Sequence, residues 1–144
     1  MIEGSGKPQV IIGATTYTLP RPSRNGRDEE DRDESSYYYD LYNIKRQASP
    51  KFRFIGTYRC PVTTSTEKNN IETLQKRIIA KSGVFKFKPY SDNDTILKCT
   101  GYPRLRNLSG YAGKKELVFK IEEIKQRRTP LIYETIPDGA EIII

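Results

Sequence analysis

"SPKFRFIGTYRC", residues 49–60, is the stretch whose reading decides the fold. Its apolar side chains fall at every second place. Phe52, Phe54, Tyr58 and Cys60 share one side; Lys51, Arg53, Thr57 and Arg59 share the other, with Ile55 as the one breach. Side chains alternate between the faces of a strand, so the pattern predicts a strand with one dry face and one wet, cationic face. The protein is then a sheet protein, and the question is what the cationic face meets.

Length and composition narrow the answer. A chain of 144 residues suits one domain, here residues 1–144. Apolar residues make up 35% of it, and there is no tryptophan, so ten tyrosines and five phenylalanines carry much of the packing. The core is expected to be thin and sheet-like. The formal charge of +7 favours anionic partners without saying which. A solvated or interface-forming basic face competes with a nucleic-acid site.

Histidine is absent, which removes the commonest general base and metal ligand and rules out Ser-His and Cys-His nucleophile pairs. The two cysteines, Cys60 and Cys99, are too few for a four-thiolate zinc site and lie in apolar strand-like runs. Buried free thiols are the expectation. The opening "MIEGSGKPQV" lacks the apolar run of a signal peptide, and no stretch reaches the ~20 apolar residues of a membrane span, so a soluble protein made inside the cell is expected.

Outward from residues 49–60, "QVIIGATTYTLP" (9–20) reads as a tight hairpin hinged on Gly13-Ala14, stopped by Pro20 and Pro22. Residues 21–36, "RPSRNGRDEEDRDESS", have almost nothing apolar to bury and read as an extended polar loop or arm. Arg–carboxylate pairs would fix such an arm against a neighbouring subunit. "YYYDLYNIKRQ" (37–47) is aromatic and β-prone, with Tyr37, Tyr39, Leu41 and Asn43 on one face and Tyr38, Asp40, Tyr42 and Ile44 on the other. Both faces look partly covered, as in a central or shared strand.

After Cys60 comes the one helix, expected at about 66–82. Ser65 or Thr66 would cap it, Glu67 sits in the first turn, and Ile71, Leu74 and Ile78 form one stripe flanked by Ile79. Gly83 would end it. "GVFKFKPY" returns to strict alternation with Phe85 and Phe87 inward, "SDND" (91–94) is a turn, and "TILKCTGYP" and "KKELVFKIEEI" supply further strands with Leu117, Phe119 and Ile121 inward. Residues 125–144 form a C-terminal extension ending in a strand-prone "AEIII", which invites pairing within the domain or with a neighbour. The fold class is therefore mainly β: an antiparallel β-sandwich or barrel with one α-helix packed across it.

No chemistry announces itself. There is no G-x-G-x-x-G or Walker loop, and neither "DEEDRDE" nor "YSDNDT" has the frame of a calcium loop. No catalytic residue, cofactor or metal is assigned.

The order of elements carries a resemblance. A hairpin running into "LPRPS", the strand "PKFRFIGTYRC", the capped helix "STEKNNIETLQKRIIAKSG", then "FKFKP", "ILKCTGYPRLRN" and "ELVFKIEEI" resemble the small tail proteins of tailed bacteriophages, in the distal-tail and minor-tail-tip group with a tail-tube-like fold. The likeness covers about residues 10–124. Tyr58 stands where that family often has tryptophan, and the 24–36 loop, "RNGRDEEDRDESS", is longer and more acidic. The resemblance implies a non-enzymatic virion building block: a ring, often sixfold, of copies of itself, stacked with other tail proteins around DNA that is only passing cargo. It implies no membrane and no small-molecule substrate, with the protein made in the host cytoplasm and placed in the tail. Candidate subunit contacts are Arg21, Arg24, Arg27, Asp28, Glu29, Glu30 and Arg32 in the arm, Lys51, Arg53 and Arg59 on the cationic face, and Ile142, Ile143 and Ile144 at the end. The alternatives are an OB-like nucleic-acid-binding barrel using Tyr37, Tyr38 and Tyr39, or a head–tail connector or tail terminator.

Overall fold

A computed structural model describes residues 4–107 and 114–131. Among them, the chain forms β1 (Gln9–Ile12), β2 (Thr15–Thr18), β3 (Arg27–Asp33), β4 (Ser36–Tyr39), β5 (Lys45–Ser49), β6 (Phe52–Val62), α1 (Ser65–Ala80), β7 (Val84–Lys88), β8 (Leu97–Asn107) and β9 (Lys115–Glu123). Seven strands make one sheet in the order β2-β1-β7-β8-β9-β6-β3, antiparallel throughout, and β4 and β5 make a separate two-stranded ribbon. The described residues are mainly β with a single helix across the sheet, and the alternation at 49–60 falls on the strand β6.

The seven-stranded sheet is folded over. Two strands separate β7 from β6, which on a flat sheet would hold their side chains ~14 Å apart. Yet the Tyr58 and Phe87 ring centroids are 5.3 Å apart, and those of Phe54 and Phe87 6.4 Å. The bend has a cause in sequence. Gly56 and Gly101 both lie opposite Ile121, forming one cross-strand row on the inner face. A Cβ on Gly101 would come 2.4 Å from the Lys120 carbonyl oxygen, and one on Gly56 2.8 Å from the Tyr58 ring. Only glycine lets the backbones and rings close up here.

The core is what the alternation assigns inward. Phe54, Tyr58, Cys60, Phe87, Leu117, Phe119 and Ile121 are fully buried. α1 lays Ile71, Leu74 and Ile78 on this core, and Gln75 donates to the Pro103 carbonyl at 2.7 Å. The cap is Thr64, not Ser65 or Thr66: its hydroxyl accepts from the Glu67 amide at 3.1 Å, while the Glu67 carboxylate accepts from the Thr63 and Thr64 hydroxyls. At the other end the Gly83 amide reaches the Ile78 carbonyl and the Ser82 amide that of Ile79, the pairing of a Schellman stop. Ser82, rather than Gly83, takes the first left-handed position, with φ of 58°. The β1–β2 hairpin turns on Gly13 at φ 60°, and the cysteines are free and buried, both as expected.

Two expectations are overturned. Residues 27–33 are not loop but the edge strand β3, paired along β6 from Arg27↔Tyr58 to Asp33↔Phe52. Residues 37–47 are not a covered central strand; they are a ribbon whose side chains are exposed from Ser36 to Tyr39 and from Lys45 to Ala48.

Candidate interaction surfaces

The ribbon begins where β3 and β6 stop pairing. At that joint the Glu34 amide donates to the Lys51 carbonyl at 2.8 Å, and the Lys51 amide donates to the Ser35 hydroxyl at 2.9 Å. The Glu34 carboxylate accepts from Gln126 at 2.8 Å and Arg53 at 3.0 Å, and these contacts, Gln126 first, hold its pKa below the usual glutamate value. The ribbon is thus braced at its root. Its tip is a turn built by "DLYN": the Asn43 amide returns to the Asp40 carbonyl at 3.0 Å, and Asn43 sits at φ 60°. The Asp40 carboxylate accepts the amides of Ile44 and Tyr42 and the Arg46 guanidinium, which lowers its pKa. A well-made turn therefore presents Leu41 wholly exposed and Tyr42 at 84%, with Tyr38, Tyr39 and Ile44 about half exposed or more below them. Exposed apolar side chains gathered at one tip make it a candidate interaction surface.

Strand β3 has a second peculiarity: the residues facing the core are charged. Arg27, Glu29 and Asp31 lie opposite Tyr58, Gly56 and Phe54. Each finds partners. Glu29 accepts from the Tyr58 hydroxyl at 2.8 Å and the Tyr90 hydroxyl at 2.7 Å. Burial, with Glu29 adding to it, pushes the Tyr90 phenol up to about 12 and the Tyr58 phenol further in the same direction. Arg27 donates to the Pro89 carbonyl at 2.6 Å and the Gly6 carbonyl at 3.1 Å, with its guanidinium 4.0 Å from the Tyr90 ring centroid. One side chain thus ties β3 to the far end of the folded sheet. Asp31 pairs with Arg127, which also bonds Glu123 at 2.9 Å, and Glu123 in turn accepts the Phe54 amide at 3.0 Å. Among the described residues no buried side-chain polar atom lacks a partner. Inward charge of this kind also discourages stray pairing along an edge strand.

The sequence-predicted contacts do not form one patch. Arg27 and Glu29 turn inward and are satisfied within the chain, so neither is free to meet a neighbour as a disordered arm would allow. Arg53 is neutralised by Glu34 and Glu122, both at 3.0 Å. Arg32 and Glu30 pair with each other at 3.6 Å on the outer face of β3. Asp28 and Arg59 share a surface cleft, Arg21 reaches the Ser5 carbonyl at 3.4 Å, and Arg24 and Lys51 are exposed. Ile142, Ile143 and Ile144 lie outside the described residues. The tyrosines of 37–39, set aside as a covered strand or a stacking platform, belong to the exposed ribbon. The missed signal was Asp40 and Asn43, two turn-forming residues three apart. Asp31, Glu123 and Arg127 were missed because nothing local links residues 96 positions apart.

Among the described residues no group of three His, Cys, Asp or Glu side chains could hold a metal, and no helix is long and apolar enough to cross a membrane. No protein-family profile matches the chain, and no curated protein matches it.

Proposed function

We propose that this chain is a structural subunit of a tailed-bacteriophage virion, a ring-forming tail or tail-tip component that joins copies of itself and other tail proteins through the β4–β5 ribbon. The ribbon carries the reading. Leu41 and Tyr42 stand in solvent, among the described residues, at the tip of a hairpin braced at its root. A fold that spends its best aromatic stretch on such an arm leaves that surface for a neighbour to cover. Aromatic anchors set in a partner's pocket dominate interfaces of this kind. The resemblance in element order supplies the setting, with DNA as cargo and no catalytic step.

A photo-crosslinking maleimide on Leu41→Cys tests it. Cys60 and Cys99 are buried, and burial pushes their thiols up to about 12, so they stay silent. Ultraviolet light should convert the labelled protein to covalent dimers and larger ladders joined from position 41 to a second copy. Label that reacts only with water or its own chain would overturn the reading.

A further inference from the structure

The outer face of the sheet, away from the ribbon, has an electrostatic imbalance. On β3, β6 and β9 most outward charges are matched: Arg53 with Glu122, Arg32 with Glu30, and, at the rim, Arg106 of β8 with Glu116 at 2.7 Å. Across β7, β8, β9 and β6 the remaining outward cations are not. Lys86 lies directly opposite Lys98, and Lys120 directly opposite Tyr102. Arg104 faces Val118, which in turn faces Arg59 on the other side. All five cations are exposed, and none makes an ion pair among the described residues.

Like charges directly opposite on adjacent strands are destabilising, so the Lys86–Lys98 pair works against the fold. Beside it Lys81, at the helix C-terminus, joins Lys86 and Lys98 around a cleft of about 280 Å³. In the middle of the cations Tyr102 shows 41% of its surface, with Thr100 two residues along the same strand, and Thr57 lies on the far side of Lys120. Lys98 to Arg104 spans six residues, about 20 Å, and the four strands about 15 Å across.

From this we infer that the outer face of β7-β8-β9-β6 is a binding site for the phosphodiester backbone of nucleic acid, with Lys86, Lys98, Lys120, Arg104 and Arg59 neutralising phosphates and Tyr102 offering a ring to an unpaired base. Charge complementarity selects the ligand. The acids on this face, Glu122 and Glu116, are each taken up by an arginine, and Asp28 stands at its β3 edge beside Arg59. The five cations left over fit a regularly spaced polyanion, and the central aromatic fits a base better than a carboxylate. The site is distinct from the ribbon and does not depend on the assembly reading.

The test is fluorescence-anisotropy titration of labelled oligonucleotides of about ten nucleotides, short enough to engage one subunit, at a series of salt concentrations. Five neutralised phosphates give a log–log slope of about −3.5 for a single strand and about −4.5 for a duplex. Lys98→Gln with Lys120→Gln, both exposed positions, should make the single-strand slope shallower by about 1.4. Tyr102→Ala should weaken single strands about five- to 150-fold and leave duplex binding nearly unchanged. Stronger loss from Lys45→Gln with Arg46→Gln than from the sheet-face pair would overturn the inference, placing the contact on the ribbon. So would polyglutamate of equal charge competing as well as DNA, which would make the partner an acidic protein, or the absence of binding at low salt.

Discussion

Replacing Leu41 and Tyr42 together by serine separates a folding role from an assembly role. Both side chains stand in solvent at the ribbon tip and contribute no core contact, while Asp40 and Asn43, which make the turn, are untouched. Substitutions at exposed positions without such features change stability by about 0.5 kcal/mol or less each, so the melting temperature of the double variant should move by less than about 4 °C. Assembly should respond far more. Fully burying a leucine is worth about 2 kcal/mol, and a tyrosine anchor at an interface about as much again. The sum of about 4 kcal/mol raises Kd about a thousandfold for each contact the ribbon makes. Sedimentation velocity over a concentration series would read this as wild-type oligomer against a variant that is monomeric at the same concentrations. A variant that sediments like wild type, with its fold intact, would refute the assignment of the ribbon as the joint.

Other consequences concern the interior. Arg127→Met strips the shared partner from Asp31 and Glu123, both largely buried, and should cost about 3–5 kcal/mol and at least about 10 °C in melting temperature. Adding Asp31→Asn and Glu123→Gln should recover part of that loss, since the unpaired charges cause most of it. Asp92 accepts the Ser5 and Gly6 amides and the Ser5 hydroxyl, which hold its pKa down to about 2. A depressed folded-state value means the contribution is complete above the ordinary aspartate range and is lost as pH falls through about 2. Asp92→Asn should therefore show a shallower fall of melting temperature from about pH 4 down to about pH 2 than wild type. Ser82→Gly, relieving a φ of 58° at the helix stop, should add about 0.5–1 kcal/mol in urea denaturation.

What could be read in the sequence was whatever a short-range period encodes. Residues 52–62 and 84–88 announce their inner faces by apolar alternation, and Ile71, Leu74 and Ile78 announce theirs by helical spacing. β3 hid because its inward residues are Arg27, Glu29 and Asp31. Alternation of charge with charge looks like a solvated loop until Tyr58, Tyr90 and Arg127 are brought to it by the fold. The ribbon hid for the opposite reason: tyrosines at 37–39 suggest burial, whereas among the described residues they stand exposed. The cationic face of 51–59 was only half legible. The period fixed which side Arg53 takes, but its acids, Glu34 and Glu122, come from elsewhere in the chain. The unmatched basic surface on β7 and β8 follows from strand order, which no local pattern encodes.

Negative-stain electron microscopy of the purified wild-type protein, with its native mass measured on the same sample, tests the central claim most directly. Closed rings of one diameter, with a mass that is a whole-number multiple of the 16.6 kDa chain, are expected. Single 16.6 kDa particles at every concentration, with the ribbon tip still in solvent, would contradict it.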